Sequence, residues 1–318
     1  MIETIAKAEL PVDELLEIKK NRIVPQNGIS NGKRICVVTG IHGDELEGQY
    51  VCYEVNRRIR ENIEYLKGTV DIYPALNPFG IDSITRGIPA FDLDMNRLFP
   101  GNSDGDMNEH IAAQIIEDMV GADVCVDIHA SNIFLTEVPQ IRINELHKDW
   151  LVPIAMNANV DLIWVHGAST VLESTFAYSL NSRKTATLVV EVGVGMRITK
   201  EYGNQITEGI FSLMKNLGIW EGPVDDIKKP VVASDENGGC VCYMNAPVSG
   251  IYIKAVNHGE MVEQGAHIGD VVNPLTGELL AKIDAPEAGW LFTQREYPIL
   301  EEGSLMGRIL KKDILENQ

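Results

Sequence analysis

The sequence has no run of about 18 uncharged apolar residues, the length a membrane-spanning helix needs. Its opening segment, MIETIAKAELPVDELLEIKK, carries charges throughout and lacks the apolar stretch of a signal peptide. Basic residues are scarce: 27 Lys+Arg stand against 46 Asp+Glu, a net charge of −19. The acidity runs to both ends, with a net −7 from Asp235 onward. A field of that sign repels phosphate backbones and anionic lipids, so neither nucleic acid nor a membrane surface is expected as a partner. Cysteine is sparse and odd in number, at Cys36, Cys52, Cys125, Cys240 and Cys242. Cys36 and Cys125 lie in apolar runs (RICVVTG, ADVCVDIH), where a thiol serves as a small core residue. Cys240 and Cys242 form a lone C-x-C with no second pair to complete a zinc knuckle. These features argue against an oxidising compartment, and a cytoplasmic protein is expected. What is present is ordinary globular composition, 45% hydrophobic and 23% charged, over 318 residues, a comfortable length for two domains.

The pattern changes along the chain. Up to about residue 220, strand-like runs alternate with segments of helical spacing: Arg34–Thr39, then apolar residues at Leu46, Tyr50, Val51, Val55 and Ile59, then Thr69–Ala75. A further helix is expected over His110–Val120, with strands at Asp123–Ile128 and Ala186–Val192. Strands alternating with helices imply an α/β layer with a largely parallel sheet. Pro78–Gly105 reads as a long loop, a length that in a compact domain usually signals function or disorder. After Trp220 comes a connector rich in proline and charge. From Cys240 to Ile309, glycine or proline punctuates short apolar runs every eight to twelve residues, the pattern of a small all-β barrel or sandwich. We place the boundary at 228, giving an α/β domain over 1–228 and a β domain over 229–318.

Open α/β sheets bind ligands at the carboxyl ends of their strands. Three segments deliver polar side chains there: His42 and Glu45 after the first strand, Asp127 and His129 at the end of another, and Glu191 at the end of ATLVVEV. His42 and Glu45, three apart at a strand-to-helix turn, can converge on one point. With one distant histidine they make the His₂Glu set of catalytic zinc sites. Asp44 and Glu47 also suit a helix N-terminus without further role. The long loop adds Arg86 and the segment Asp92–Gly101, which contains Asn96 and Arg97. A guanidinium can stabilise an oxyanion or grip a carboxylate through two hydrogen bonds. The same residues also suit an exposed loop of Asp–Arg pairs, and the two readings stay open at this point.

Four motifs in order, GIHGDELEG, DLDMNRLFPG, VDIHAS and VVEVGVG, resemble the succinylglutamate desuccinylase/aspartoacylase family, zinc enzymes related to the metallocarboxypeptidases. The resemblance spans most of residues 34–310. It implies a mixed central sheet flanked by helices, zinc carboxypeptidase-like, with a C-terminal β domain that narrows access to the metal. It further implies one Zn²⁺ per chain held by His42, Glu45 and His129, and makes Glu191 the general base. By the same resemblance Arg86 polarises the scissile carbonyl, while Asn96 and Arg97 hold a substrate carboxylate. The GIPAFDLDM spacer between Arg86 and Asn96 varies in length across the family. Asp127, two residues before His129 on one strand, projects to the same face and can orient an imidazole.

The remaining histidines have ordinary readings: His110 opens a helix, His147 lies in a charged stretch, and His258 and His267 fall in turns, while His166 can line a cleft. The C-terminal segment also resembles the barrel-sandwich of biotinyl and lipoyl domains. Its candidate hairpin, NPLTGE, has no lysine to carry a cofactor, so a structural or access-controlling role is expected. The leading expectation is a zinc-dependent deacylase acting on an N-acyl amino acid or related small, anionic molecule. The alternatives are a metallocarboxypeptidase on short peptides, whose cleft tyrosine no motif locates, and a non-catalytic zinc or metabolite sensor. The β domain offers a surface on which a homo-oligomer could form.

Overall fold

The computed structural model describes residues 1–89, 91–167, 172–234 and 239–316. Its strands are β1 (Ile2–Glu9), β2 (Leu15–Ile23), β3 (Arg34–Thr39), β4 (Thr69–Tyr73), β5 (Val124–His129), β6 (Leu135–Asn144), β7 (Leu162–His166), β8 (Thr187–Gly193) and β9 (Val231–Ser234). The C-terminal segment adds β10 (Val241–Asn245), β11 (Gly250–Lys254), β12 (Met261–Val262), β13 (His267–Asn273), β14 (Glu278–Asp284), β15 (Gly289–Arg295), β16 (Ile299–Leu300) and β17 (Leu305–Lys311). The helices are α1 (Glu47–Glu61), α2 (Pro78–Ser83), α3 (Met107–Met119), α4 (Lys148–Ala155), α5 (Phe176–Ser182), α6 (Lys200–Asn216) and α7 (Lys312–Glu316).

The central sheet runs β1-β2-β4-β3-β5-β8-β6 and is mixed. β3 pairs in parallel with β4 and β5, and β5 with β8, whereas β6 lies antiparallel to β8. Side chains alternate across a strand. Val126 and Ile128 of β5, Leu188 and Val190 of β8, Ile141 and Ile143 of β6, and Ile163 and Val165 of β7 share one face and one core with α1, α4 and α6. α1 contributes Val51, Cys52, Val55 and Ile59, a helical stripe in which each fully buried aliphatic side chain contributes about 1.5–3 kcal/mol. On the opposite face, Cys36, Val38, Tyr73 and Cys125 pack under α3 and α5. α3 begins at a capping box in which the Asp106 side chain accepts from the Asn108 and Glu109 N–H groups and Glu109 accepts from Asp106 N–H.

Some elements depart from the pattern read in the sequence. β1 and β2, rich in charge, form an antiparallel hairpin that extends the sheet through β4. The expected long loop contains α2, which starts at Pro78 and is capped by the Asn77 side chain accepting from Gly80 N–H at 2.9 Å. The C-terminal segment forms a separate antiparallel sheet, β14-β13-β11-β16. Its other strands continue the large sheet, because β15 pairs with β6 and β17 lies between β15 and β10. β9, just past residue 228, pairs in parallel with β7, and residues 235–238 of the connector lie outside the described residues. All five cysteines are free thiols. Among the described residues no helix is long and apolar enough to cross a membrane.

Under the N-terminal hairpin lies a buried ion network. Asp71, fully buried, accepts from Arg22 Nε at 2.9 Å, Arg22 Nη2 at 2.7 Å and Arg34 Nε at 2.8 Å, with Lys20 Nζ at 3.6 Å. Burial alone would push its carboxyl up. The Arg22 hydrogen bond and the charges of Arg34 and Lys20 outweigh that and hold it below the usual carboxylate range. Asp71→Asn, which removes the anion shared by Arg22, Arg34 and buried Lys20, is expected to lower stability by about 3 kcal/mol in urea unfolding at neutral pH. A depressed carboxyl stabilises fully above its unfolded value and loses that contribution as pH falls through the folded one. The gap between wild type and variant should therefore narrow on acidification, and a constant gap would contradict this account.

Candidate active site

At the carboxyl ends of β5 and β8 the second sheet face is open. Alternation puts Asp127 and His129 there from β5, Thr187, Val189 and Glu191 from β8, Arg142 and Asn144 from β6, and Trp164 and His166 from β7. Together they line a cavity of about 400 Å³. The turn between β3 and α1 brings His42 and Glu45 over this floor. The turn is tight enough to demand glycine at two places. Gly40 has φ +70°, and a Cβ on Gly43 would lie 1.9 Å from the Gly80 backbone.

His42, Glu45 and His129 are buried, and one ligand atom from each lies within 4.8 Å of the others. His129 Nδ1 is 2.9 Å from Glu45 Oε2, and its Nε2 is 3.1 Å from Asp127 Oδ2. His42 Nε2 is 3.1 Å from Asp94 Oδ1, while its Nδ1 lies 2.8 Å from Glu45 Oε1. That last approach lacks hydrogen-bond geometry and leaves His42 Nδ1 a buried nitrogen without a hydrogen-bond partner. Two imidazoles thus turn one nitrogen toward Glu45 and the other toward an acceptor carboxylate, as metal-binding histidines do.

The charge balance supports the same reading. Burial opposes a charged imidazole at both histidines. Asp127 and Glu45 overcome it at His129, and Glu45 and Asp94 at His42, so both are held above the ordinary range. Glu45 is buried too, yet the two imidazoles hold it well below the carboxylate range. Carboxylates therefore demand positive charge at this point. A divalent cation can supply it with both imidazoles neutral, in competition with protons. The donor set fits a metal ion.

Glu191 sits directly across the β5–β8 ladder from His129. Its Oε2 accepts from Ser131 N–H at 3.0 Å and its Oε1 from Arg142 Nη1 at 3.3 Å. Burial pushes its carboxyl above the usual range, opposed by the Arg142 cation. Ser131 and Asn132 adopt positive φ, 31° and 66°. They lie in the turn where Ala130 N–H donates to Glu45 Oε2 and Ser131 N–H to Glu191. Glu47 accepts from Thr199 N–H at 2.6 Å and Thr199 Oγ1 at 2.7 Å, which ties the segment after Glu191 to α1.

Arg86 lies at the cluster, with Nη1 2.8 Å from Glu45 Oε1 and Nη2 3.6 Å from Asp94 Oδ2. Asn96 stands in a short turn, and its Oδ1 accepts from Phe176 N–H at the start of α5, so its amide nitrogen remains available as a donor. Arg97 is exposed at the cavity edge and donates to the Asn96 carbonyl. The seven residues given a site role from the sequence, His42, Glu45, Arg86, Asn96, Arg97, His129 and Glu191, all line this one cavity, whereas Asp44, read only as a helix-start charge, does not.

The sequence reading did not find Arg142, the Asp94 contact to His42, or the cavity positions of His147 and Tyr178. Arg142 could have been found as the charge alternating with isoleucine in PQIRIN. His147, read as part of a charged stretch, faces the cavity because Asn144 caps the turn before α4 and brings that turn over the sheet. His258 is engaged by Tyr202 Oη at 2.8 Å.

A mixed α/β sheet with a buried His₂Glu cluster at its strand ends defines a protein built to hold a metal ion beside a carboxylate. Residues 31–217, more than half of the chain, match the family described as the succinylglutamate desuccinylase/aspartoacylase catalytic domain. The chain therefore belongs to the succinylglutamate desuccinylase/aspartoacylase family of deacylases. It is 26% identical over 254 residues to the N-alpha-acetyl-L-2,4-diaminobutyric acid deacetylase of Halomonas elongata, covering 76% of this chain and 70% of that protein. Its fold resembles the crystal structure of a succinylglutamate desuccinylase/aspartoacylase from Rhodobacter sphaeroides, with TM-score 0.80 and 22% identity over 98% of this chain and 95% of that one. It also resembles the product-bound ectoine utilization protein EutE (DoeB) of Ruegeria pomeroyi, with TM-score 0.78 and 19% identity over 93% and 90% of the two chains.

Because Asp94 orients His42 without belonging to the His₂Glu set, Asp94→Ala should weaken metal retention by about 10- to 100-fold while the fold is kept. Competitive chelator titration followed by metal analysis measures this. Unchanged retention would remove Asp94 from the site's support.

Proposed function

We propose that this protein is a zinc-dependent amide hydrolase that removes an acyl group from an N-acyl amino acid or related small amine. The observation that carries the proposal is the buried convergence of His42, Glu45 and His129 with Glu191 across the ladder from His129. Zinc held by the three side chains supplies an electrophile that polarises a scissile carbonyl and acidifies water.

The chain's own residues account for the rest. Glu191, half-buried and with its carboxyl held above the usual range by desolvation, accepts a proton from the attacking water and returns it to the leaving amine. Arg86 has guanidinium N–H groups beyond those on Glu45 and Asp94 with which to donate to the carbonyl oxygen as it gains charge. Asn96, its carbonyl committed to Phe176, offers its amide nitrogen to a substrate carboxylate, and Arg97 adds the charge at the rim. The similarity to a deacetylase of an N-acetylated diamino acid supports an N-acyl amino acid as substrate. We take residues 1–228 as the hydrolase unit and 229–318 as a β unit that completes the cavity wall through Arg308.

Metal analysis of the purified protein should give about one zinc per chain, and a panel of N-acyl amino acids scored by amine release should reveal the substrate. Glu191→Gln is expected to keep its metal while turnover falls by at least ~100-fold. Normal hydrolysis by that variant, or hydrolysis insensitive to metal removal, would defeat the proposal. Metal binding without any turnover in the wild type would favour a sensor instead.

A further inference from the structure

We infer that Arg142 is a positioning residue for Glu191, anchored by the buried carboxylate of Glu137, which the C-terminal β unit shares through Arg308 and Thr293. The inference rests on Glu191 being the general base and adds what holds it in place.

Glu137 and Arg142 are five apart on β6, so simple alternation would put them on opposite faces. The register prevents this. Glu137 lies opposite Gly193 and Gln140 opposite Glu191, so three steps on β6 match two on β8. This bulge contains Pro139, which has no N–H to give to a ladder. The extra residue reverses parity and brings Glu137 to the same side as Arg142. The contacts confirm it, with Arg142 Nη2 2.7 Å from Glu137 Oε1 and 2.8 Å from Oε2.

Glu137 is fully buried, and its hydrogen bonds gather on Oε1. Besides Arg142, its Oε1 accepts from Arg308 Nη1 at 2.7 Å and from Thr293 Oγ1 at 3.0 Å. Fully buried and outside the cavity lining, this carboxylate is out of a substrate's reach. It does hold the Arg142 guanidinium at a fixed tilt, with Nη1 toward Glu191 Oε1 at 3.3 Å. Ser131 N–H holds the other oxygen at 3.0 Å. Pinned at both oxygens, the Glu191 carboxylate cannot turn about its terminal bond. A base that must meet first a water and then a departing nitrogen depends on that orientation. Arg308 and Thr293 lie on β17 and β15, so the C-terminal unit is built into the support of the base.

The test uses full-length, metal-loaded protein and the N-acetyl amino acid that the panel shows to be turned over fastest. Arg142→Met leaves Glu137 with Arg308 and Thr293. It is expected to lower kcat by about 10- to 100-fold, with KM within about 3-fold of wild type and metal content unchanged. Arg142→Lys keeps the charge but cannot span two carboxylates, and should lower kcat by less, about several-fold. If the methionine variant fails to fold, the lysine variant decides. Because Arg142 acts through Glu191, adding Arg142→Met to Glu191→Gln should cost less than about 3-fold more, whereas independent roles would multiply. A rise in KM with unchanged kcat would make Arg142 a substrate contact, and wild-type kinetics would give it no role. Either result overturns the inference. If Arg142→Met is wild-type-like while Glu191→Gln is inactive, only this inference fails. If Glu191→Gln is active, the base assignment fails first.

Discussion

The site depends on the two-residue alternation of adjacent strands. On β5, β8, β6 and β7, every second side chain is aliphatic and enters the core under α1, α4 and α6. The residues between them are Asp127, His129, Val189, Glu191, Arg142, Asn144, Trp164 and His166. Sliding β5, β6 or β8 by one residue would put a charged side chain into the core and expose an aliphatic one in its place, so the apolar packing and the polar floor enforce the same register. His129, Glu191 and Arg142 are thereby held by rigid strands, whereas His42 and Glu45 come from a turn, and Arg86, Asn96 and Arg97 from the segment after α2.

That placement has an electrostatic cost, visible in how tightly charges are matched. Asp127, Asp94 and Glu45 surround two imidazoles, while Arg86 sits at the edge. Further along the same face, Glu137 stands between Arg142 and Arg308. Removing one partner from a buried group of this kind leaves an uncompensated charge, which is more costly than the intact pair is stabilising. The metal-type cluster and the Glu137 group are therefore two parts of one polar layer, and Glu191, which touches Arg142 and lies across from His129, joins them.

What could be read from the sequence follows from range. His42 and Glu45 were legible because strand, glycine turn and helix follow one another within a few residues, and Glu191 because an apolar run ends on it. The third member, His129, was legible as a polar strand end, but its place in the cluster came only with the family resemblance, since nothing local says that β5 lies beside β3. Asp94 looked like one acid of a charged loop, and only the fold shows its carboxylate beside His42. The pairing of Glu137 with Arg142 was hidden by the bulge at Pro139, because a period-two reading assigns them opposite faces. β1 and β2 escaped notice because their charges belong to a buried network with Asp71 and Asp118 that no hydrophobic pattern reveals.

The C-terminal segment then takes on a sharper meaning than a lid. It keeps its own antiparallel sheet and its own core around Tyr252, Ile268, Val271 and Ile309. Yet β15 hydrogen-bonds to β6 at the residue that anchors Arg142, with Thr293 opposite Glu137. A unit that only narrowed the entrance would contact loops at the rim. This one contacts β6, a strand of the cavity floor, and supplies a guanidinium to the buried carboxylate beneath it. The turn between β13 and β14, NPLTGE, has no lysine, which fits that division of labour. The strands that matter for the site are β15 and β17, while the hairpin tip at Leu275 is exposed to solvent.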